Sequence, residues 1–305
     1  MTSAAMTPRG EPQLDLARLS QAWALAPIFR PLARAKERGY LDVTMRVGEL
    51  EIKVVGRWAL GIDDQDVLLA LLRLAEHRDR CPQIGPVPTT DAGKEARVGL
   101  KADGRARAQN TVAVQTTLRE LARTAGHQED GGSLDRISES LQHLGQATVI
   151  LDAGGLRWTQ AHIVSHTTVD DGRVLVALHP HLAQALLGGR EAVTRLDMQA
   201  YRSLRGEVAR RLYVRLCGYL DPGRERRARV DTLAAGVWPD PPGSPAVLRW
   251  RRRACRLALA EIGGLVGWTI RVEGAGADTV AVMSRAGRGR ADTPPRRRRK
   301  GRRSR

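Results

Sequence analysis

Phenylalanine is nearly missing from this chain: there is one in 305 residues, and aromatics of all kinds make up only 4%. The cores must therefore be built from Leu, Val and Ala, with Trp at a few large positions. Cysteine is scarce too. Cys81, Cys217 and Cys255 are odd in number and far apart, and no Cys-x-x-Cys pair occurs. Neither a disulfide framework nor a zinc site is expected, and a reducing compartment fits. No uninterrupted apolar run approaches the roughly 18–20 residues of a membrane helix. Met1 to Leu16 is polar and Pro-containing, without a signal-peptide core. A soluble, cytoplasmic protein with no membrane partner is expected. No Gly-x-x-x-x-Gly-Lys-Ser/Thr loop is present, so any ATP hydrolysis must come from another protein.

Acidic residues are in deficit. Asp and Glu number 33 against 50 Lys and Arg, a formal net charge of +17. Such a balance points to a polyanionic partner, nucleic acid before membrane. Residues 285–305 hold eleven of the basic residues and one acid, Asp292. This low-complexity tail is expected to be disordered. It could be a solubilising extension or a nuclear-targeting signal; counterion release along a phosphate backbone is the favoured use.

With 305 residues and 42% hydrophobic content, the chain can fill two modest cores. Residues 1–20 read as weakly ordered, broken by Pro8, Gly10 and Pro12. Ala22 to Arg34 reads as a strap. Leu41–Val47 and Glu49–Val55 alternate across Gly48 as a hairpin. Asp63 or Asp64 can cap a helix from Gln65 to His77. Residues 81–110, rich in Pro, Gly and Thr, read as a long loop.

A helix introduced by Thr116/Thr117 ends near Gly126, and Ser133 caps a second one with Leu134, Ile137, Leu141 and Leu144 at helical spacing. Strands at 147–151 and 156–164 follow around Gly154-Gly155. The outward face of the second helix carries Asp135, Arg136, Glu139, Gln142 and His143, which leaves DNA contact and protein contact both open. Arg173–Leu178 is a strand, and Pro180 opens a helix to Leu187. The halves join around 188–195. A long helix from about Leu204 to Leu220 should bury Val208, Leu212, Leu216 and Tyr219, with Arg205, Arg210, Arg211 and Arg215 outside. Arg229-Val230 leads to a brief helix capped by Asp231 or Thr232, and Pro239 stops it.

The most informative stretch is Ser244 to Met283. Ser244-Pro245 is a helix start. In the helix that follows, Arg249, Arg252, Arg253 and Arg256 share one arc, and Val247, Trp250, Ala254, Leu257, Ala258 and Ile262 lie opposite. Arg251 falls among the apolar positions and should snorkel outward. Two β segments, 265–272 and 278–283, flank the flexible turn Glu273 to Ala277. Helix, strand, loop, strand is the end of a winged helix, whose basic helix lies in a major groove; a solvated charged face is the plain alternative. The expected fold is thus α+β, two tandem winged-helix domains at 21–190 and 191–284 with a disordered basic tail.

Other chemistry is weakly supported. His179-Pro180-His181 resembles the paired metal histidines of rolling-circle nickases, but Pro180 marks a helix start rather than a strand. Tyr201, Tyr213 and Tyr219 are nicking nucleophiles by residue type alone, and His162 with His166 has no third ligand. No catalytic, cofactor or metal residue is assigned.

Leu212–Gly223 (LYVRLCGYLDPG), Asp231-Thr232-Leu233, Val237-Trp238-Pro239, the Arg-rich helix and Gly267-Trp268-Thr269 resemble the RepC replication initiators of IncQ-type plasmids, within the wider tandem winged-helix initiator superfamily. Leu41–Thr44, Leu60–Asp64 and Ala183–Ala185 add support, so the resemblance spans roughly 22–283, with residues 285–305 outside it. It implies a protein that binds directly repeated iterons in double-stranded origin DNA, melts adjacent A·T-rich DNA and helps load a plasmid-encoded helicase, with a separate primase. By position, Ser244, Arg249, Arg252, Arg253 and Arg256 fall on the second recognition helix. The full candidate set for DNA contact is Ser244, Arg249, Arg251, Arg252, Arg253, Arg256 and Arg271, with Ser133 and Arg136 in the first unit. That first unit is also a candidate homodimer surface. A winged-helix repressor and an origin-nicking endonuclease are the rival readings.

Overall fold

The computed structural model describes residues 15–32, 38–76, 81–152, 154, 158–168, 173–189 and 192–287. The disorder expected for the first residues and for the basic tail lies outside the described residues, apart from 15–20 and 285–287. Residues 16–20 are not disordered: β1 (Leu16–Ser20) pairs antiparallel along its length with β11 (Val193–Asp197). Ala17 and Leu19 are buried on its inner side, and Ser20 is buried at its end. The short helix α1 (Gln21–Leu25) and the strap after it bury Trp23, Ile28 and Phe29.

The hairpin is as read: β2 (Leu41–Val47) and β3 (Leu50–Gly56) pair around Gly48, whose φ of 63° only glycine adopts freely. Next comes α2 (Ile62–Ala75), with Val67 to Leu72 all inside the core. Its N-cap is Gly61 rather than Asp63 or Asp64, and Asp64 reaches back to accept the Gly61 N–H at 2.7 Å. Residues 81–110 are not a loop. They hold β4 (Gln83–Ile84), α3 (Asp91–Gly99), β5 (Asp103–Gly104) and a 3-10 turn at Arg105–Ala108. Thr90 caps α3, and Ala96, Leu100, Ile84, Ala113, Leu175 and Ala177 form a small second core beneath it.

Then follow β6 (Thr111–Thr117), α4 (Leu118–Ala125), α5 (Gly131–Gln146), β7 (Ala147–Asp152), β8 (Trp158–His162), β9 (Val164–Thr168), β10 (Arg173–Leu178) and α6 (Pro180–Leu187). Thr117 caps α4, accepting the Glu120 N–H at 3.1 Å, and Gly126 ends it in the left-handed conformation. The strands expected directly after α5 exist as β7 and β8, but they join the β2–β3 hairpin in a five-stranded sheet ordered β2-β3-β7-β8-β5. The strands that return to β6 are instead β9 and β10, in the order β4-β6-β10-β9.

After β11 come α7 (Met198–Ser203), α8 (Glu207–Tyr219), β12 (Glu225–Arg229), α9 (Val230–Ala235), α10 (Pro245–Gly263), β13 (Trp268–Glu273) and β14 (Val280–Arg285). The long helix read at 204–220 is α8, which starts three residues later than expected, and the short α7 before it was not read. Arg211, expected outside, has no exposure at all. It donates to the carbonyls of Ala24 (3.3 Å) and Ala26 (2.6 Å), and Arg215 donates to Leu25. Together they serve the carbonyl groups that the end of α1 leaves without helical partners. Burial pushes the Arg211 guanidinium down to about 9.

The two halves repeat one order. Helix, strand, two helices and a strand pair appear as α2, β6, α4, α5, β9, β10 and again as α8, β12, α9, α10, β13, β14. The sheets match as well, β6-β10-β9 and β12-β14-β13. The first copy carries two insertions, the α3 segment and the β7–β8 hairpin. One apolar core runs through both halves. This is a mixed α/β architecture, and among the described residues no helix is long and apolar enough to cross a membrane.

Candidate nucleic-acid interface

Helix α10 starts as its sequence dictates: the Ser244 hydroxyl accepts the Val247 N–H at 3.3 Å, and Pro245 occupies the first turn. Ser244 is thereby at the mouth of the helix, its side chain occupied as the cap. The expected helical rotation is corrected. The buried stripe is Cys255, Ala258, Leu259 and Ile262, with half-buried Leu248, Arg251 and Arg252 continuing it toward the N-terminus. Val247, Trp250 and Leu257, expected inside, are 37%, 54% and 63% exposed. The physical reason is the packing of α10 on α8 and α9: the stripe turned toward them is Cys255, Ala258, Leu259 and Ile262, which leaves Trp250 and Leu257 on the far side of the helix.

The rotation divides the arginines into two sets. Arg252 donates through Nε and Nη2 to both carboxylate oxygens of Asp231 in α9, each at 2.7 Å. That pair holds Asp231 below the usual carboxylate range. Arg251 does snorkel: its Nη1 donates to the Asp240 carbonyl at 2.6 Å, and its guanidinium sits 5.5 Å from the Trp238 ring. Asp240 is paired in turn with Arg30 of the strap. Both arginines therefore fix α10 to its surroundings. Arg249, Arg253 and Arg256 are exposed and make no ion pair with any described residue.

Beside α10, the β13–β14 turn is tied down. Arg227 of β12 pairs with Glu273 at 2.8 Å, and Arg229 donates to Asp278 and the Ala277 carbonyl, both at 3.0 Å. Gly274 and Gly276 take positive φ in that turn. Arg271 stands exposed on β13, 3.8 Å from Glu225. Sequence reading missed Arg227 and Arg229; the signal was the density of arginine in 224–229, which alternation alone could not assign to a face.

The corresponding helix of the first half, α5, differs. Its N-cap is Asp130, which accepts the Ser133 N–H at 2.7 Å, so Ser133 is not the cap. Ser133 is buried, and its hydroxyl accepts from Arg136 at 3.1 Å. Arg136 is exposed beside Asp135 and Glu139. His143 reaches back to Asp64 at 3.1 Å, tying α5 to α2.

Of the histidines and tyrosines weighed for metal or nicking chemistry, His179, His181, Tyr201 and Tyr213 belong to the core, while His162 and Tyr219 are half-buried and His166 is exposed. His179 is buried and its Nδ1 accepts the His181 N–H at 3.0 Å; burial lowers it to about 3. His181 accepts from the Trp23 indole at 3.0 Å. The Tyr213 hydroxyl donates to the Asp197 carbonyl, and Tyr201, also buried, donates to Asp66. Asp63, Asp66 and His127 bring possible ligand atoms within 4.8 Å of one another. Arg210 already stands at the carboxylate, however, 2.9 Å from Asp66.

Over residues 11–278 the sequence matches the family described as Replication protein C (RepC). No curated protein matches. A selenomethionine form of domains 2 and 3 of RctB is similar in structure, with a TM-score of 0.51 at 11% identity over 87% of this chain and 98% of that one. A second structure of those domains gives 0.48 at 11% identity, over 87% and 95%. The Pi initiator protein in complex with iteron DNA gives 0.41 at 16% identity, over 72% and 93%. The first of these likenesses is one of fold.

Proposed function

The chain belongs to the Replication protein C (RepC) family, and on that premise we propose that it is a plasmid replication initiator binding directly repeated iterons in double-stranded origin DNA. The two repeats of helix, strand, two helices and strand pair act as tandem winged helices, within 21–190 and 191–284. Helix α10 enters the major groove, and the β13–β14 turn with Arg271 approaches the flanking backbone. Arg249, Arg253 and Arg256 divide between guanine edges and phosphates. Arg251 and Arg252 hold the helix at its angle, and the Ser244 cap sets its first turn. Helix α5, with Ser133 internal and acids beside Arg136, makes a weaker groove contact or serves protein contacts, including a homodimer.

The observation that carries this reading is three arginines left without carboxylates on the solvent face of a helix whose other arginines are all engaged. Bound to its repeats, the protein opens neighbouring A·T-rich DNA and recruits a separate helicase. It works in the cytoplasm without a cofactor and without catalysis of its own; Tyr201 and Tyr213 lie too deep to reach a phosphodiester. Footprinting of the full-length protein across its plasmid's origin tests the proposal. Protection of several direct repeats, with permanganate-reactive thymines beside them, is expected. One protected palindrome over a promoter would replace the initiator with a repressor, and metal-dependent nicking of supercoiled origin DNA would overturn the non-catalytic reading.

A further inference from the structure

The face of α10 that carries the free arginines also carries apolar bulk that the fold does not use. Leu257 is 63% exposed and Trp250 54%, whereas Cys255, Ala258, Leu259 and Ile262 fill the buried side of the same helix. Trp250 packs against the Trp238 ring at 5.2 Å between centroids, and more than half of its surface faces water. Trp250 and Leu257 are seven residues apart, so they stand in one row, and Arg249, Arg253 and Arg256 form the adjoining row. A greasy stripe in register with a cationic one needs an occupant that supplies both anions and methyl groups. A protein surface could match both rows by setting apolar side chains beside carboxylates; the DNA-binding reading above selects the groove. The major groove offers phosphates and guanine edges to the arginines and thymine C5-methyl groups to apolar side chains.

We infer that Leu257 and Trp250 are specificity-determining residues that read thymine methyl groups, so that the recognised site places thymines beside the bases contacted by Arg249, Arg253 and Arg256. This rests on the DNA-binding reading above. Seven residues of helix advance about 10 Å, or about three base-pair steps, so the two thymines lie about three positions apart.

The test starts by selecting a preferred duplex from random sequence with the full-length protein. Each thymine of that duplex is then replaced in turn by deoxyuridine, which removes the methyl and keeps every hydrogen-bonding group. At two positions the wild-type affinity is expected to fall about fourfold, the worth of one buried methyl. Leu257→Ala, at an exposed position, binds the thymine and uracil duplexes equally at one of them; Trp250→Ala does so at the other. A duplex insensitive to deoxyuridine throughout, or variants that keep the full wild-type sensitivity, would overturn the inference while leaving sequence-specific binding intact. Failure to select any sequence is a separate result, and it removes the DNA-binding reading along with this one.

Discussion

Arg252 grips Asp231 with two parallel hydrogen bonds of 2.7 Å, joining the middle of α10 to the first turn of α9. Such a fork constrains rotation as well as distance. It fixes which arginines of α10 point outward, so its loss should act on DNA binding through helix orientation. Arg252→Gln and Asp231→Asn are each expected to weaken binding to origin DNA, and the double variant is expected to be no weaker than either single one. Gel-shift titrations around this double-mutant cycle check it. Additive losses would mean instead that Arg252 contacts DNA directly.

Arg249, Arg253 and Arg256 bear no such duty, so their removal should spare the fold and strike the interface. Each alanine variant is expected to keep the wild-type Tm. An arginine on a base edge should cost about 1–3 kcal/mol of binding and relax one position of the site. An arginine on a phosphate should weaken all sequences alike and reduce the salt slope by about one. Affinities measured against salt on specific and scrambled duplexes sort the three.

Much of this was legible in the sequence wherever a signal is local. The Ser244-Pro245 start, the Thr117 cap and the Gly48 hairpin needed only neighbouring residues and came out as read. The rotation of α10 did not, because burial there is decided by which side α8 packs against. The side turned to α8 holds Cys255 and Ala258 together with Leu259 and Ile262, and Trp250 and Leu257 are left outside although both are strongly apolar. The pairing of β7 with β3 was equally hidden: alternation announces a strand but not which distant partner it joins. Helix α3 escaped because its apolar residues are few and its neighbours Pro- and Gly-rich, so the packing of Ala96 and Leu100 under β10 had no periodic trace.

Asp66 gives the fold a pH dependence with a definite sign. It is fully buried between the two halves, facing Tyr201 and Arg210 from one side and Asp63 and His127 from the other. Burial pushes its carboxyl up to about 7, against the pull of Arg210 and the Tyr201 hydroxyl. The folded state then holds a proton that the unfolded chain has released near 3.8. Stability from this group is fully present below the unfolded value and is lost as pH rises toward 7. Wild type minus Asp66→Asn, measured by urea unfolding, should fall by a few kcal/mol between about pH 4 and pH 7 and be flat above. A difference that rises with pH would mean the Arg210 pairing dominates.

Gly218 lies in α8 where α1 crosses it, and its carbonyl accepts from the Gln21 side chain at 2.7 Å. A methyl group at Gly218 would meet the Ala24 Cβ at 2.8 Å, with the Gln21 carbonyl and Leu25 at 3.5 Å. In an open helix, Gly→Ala gains about 1 kcal/mol. Here the nearest contact cannot swing away, since Ala24 is a buried methyl on a helix pinned by Arg211 and Arg215. Overpacking of this kind costs about 1–3 kcal/mol, so Gly218→Ala is expected to lower stability despite its better propensity. The compensating change is Ala24→Gly, which removes the opposing methyl. The double variant should recover more stability than the sum of its parts, a coupling read directly from three chemical denaturation curves and the wild type. If Gly218→Ala alone proved stabilising, the α1–α8 contact would be looser than the 2.8 Å approach requires, and the hold of Arg211 on the α1 carbonyls would need another explanation.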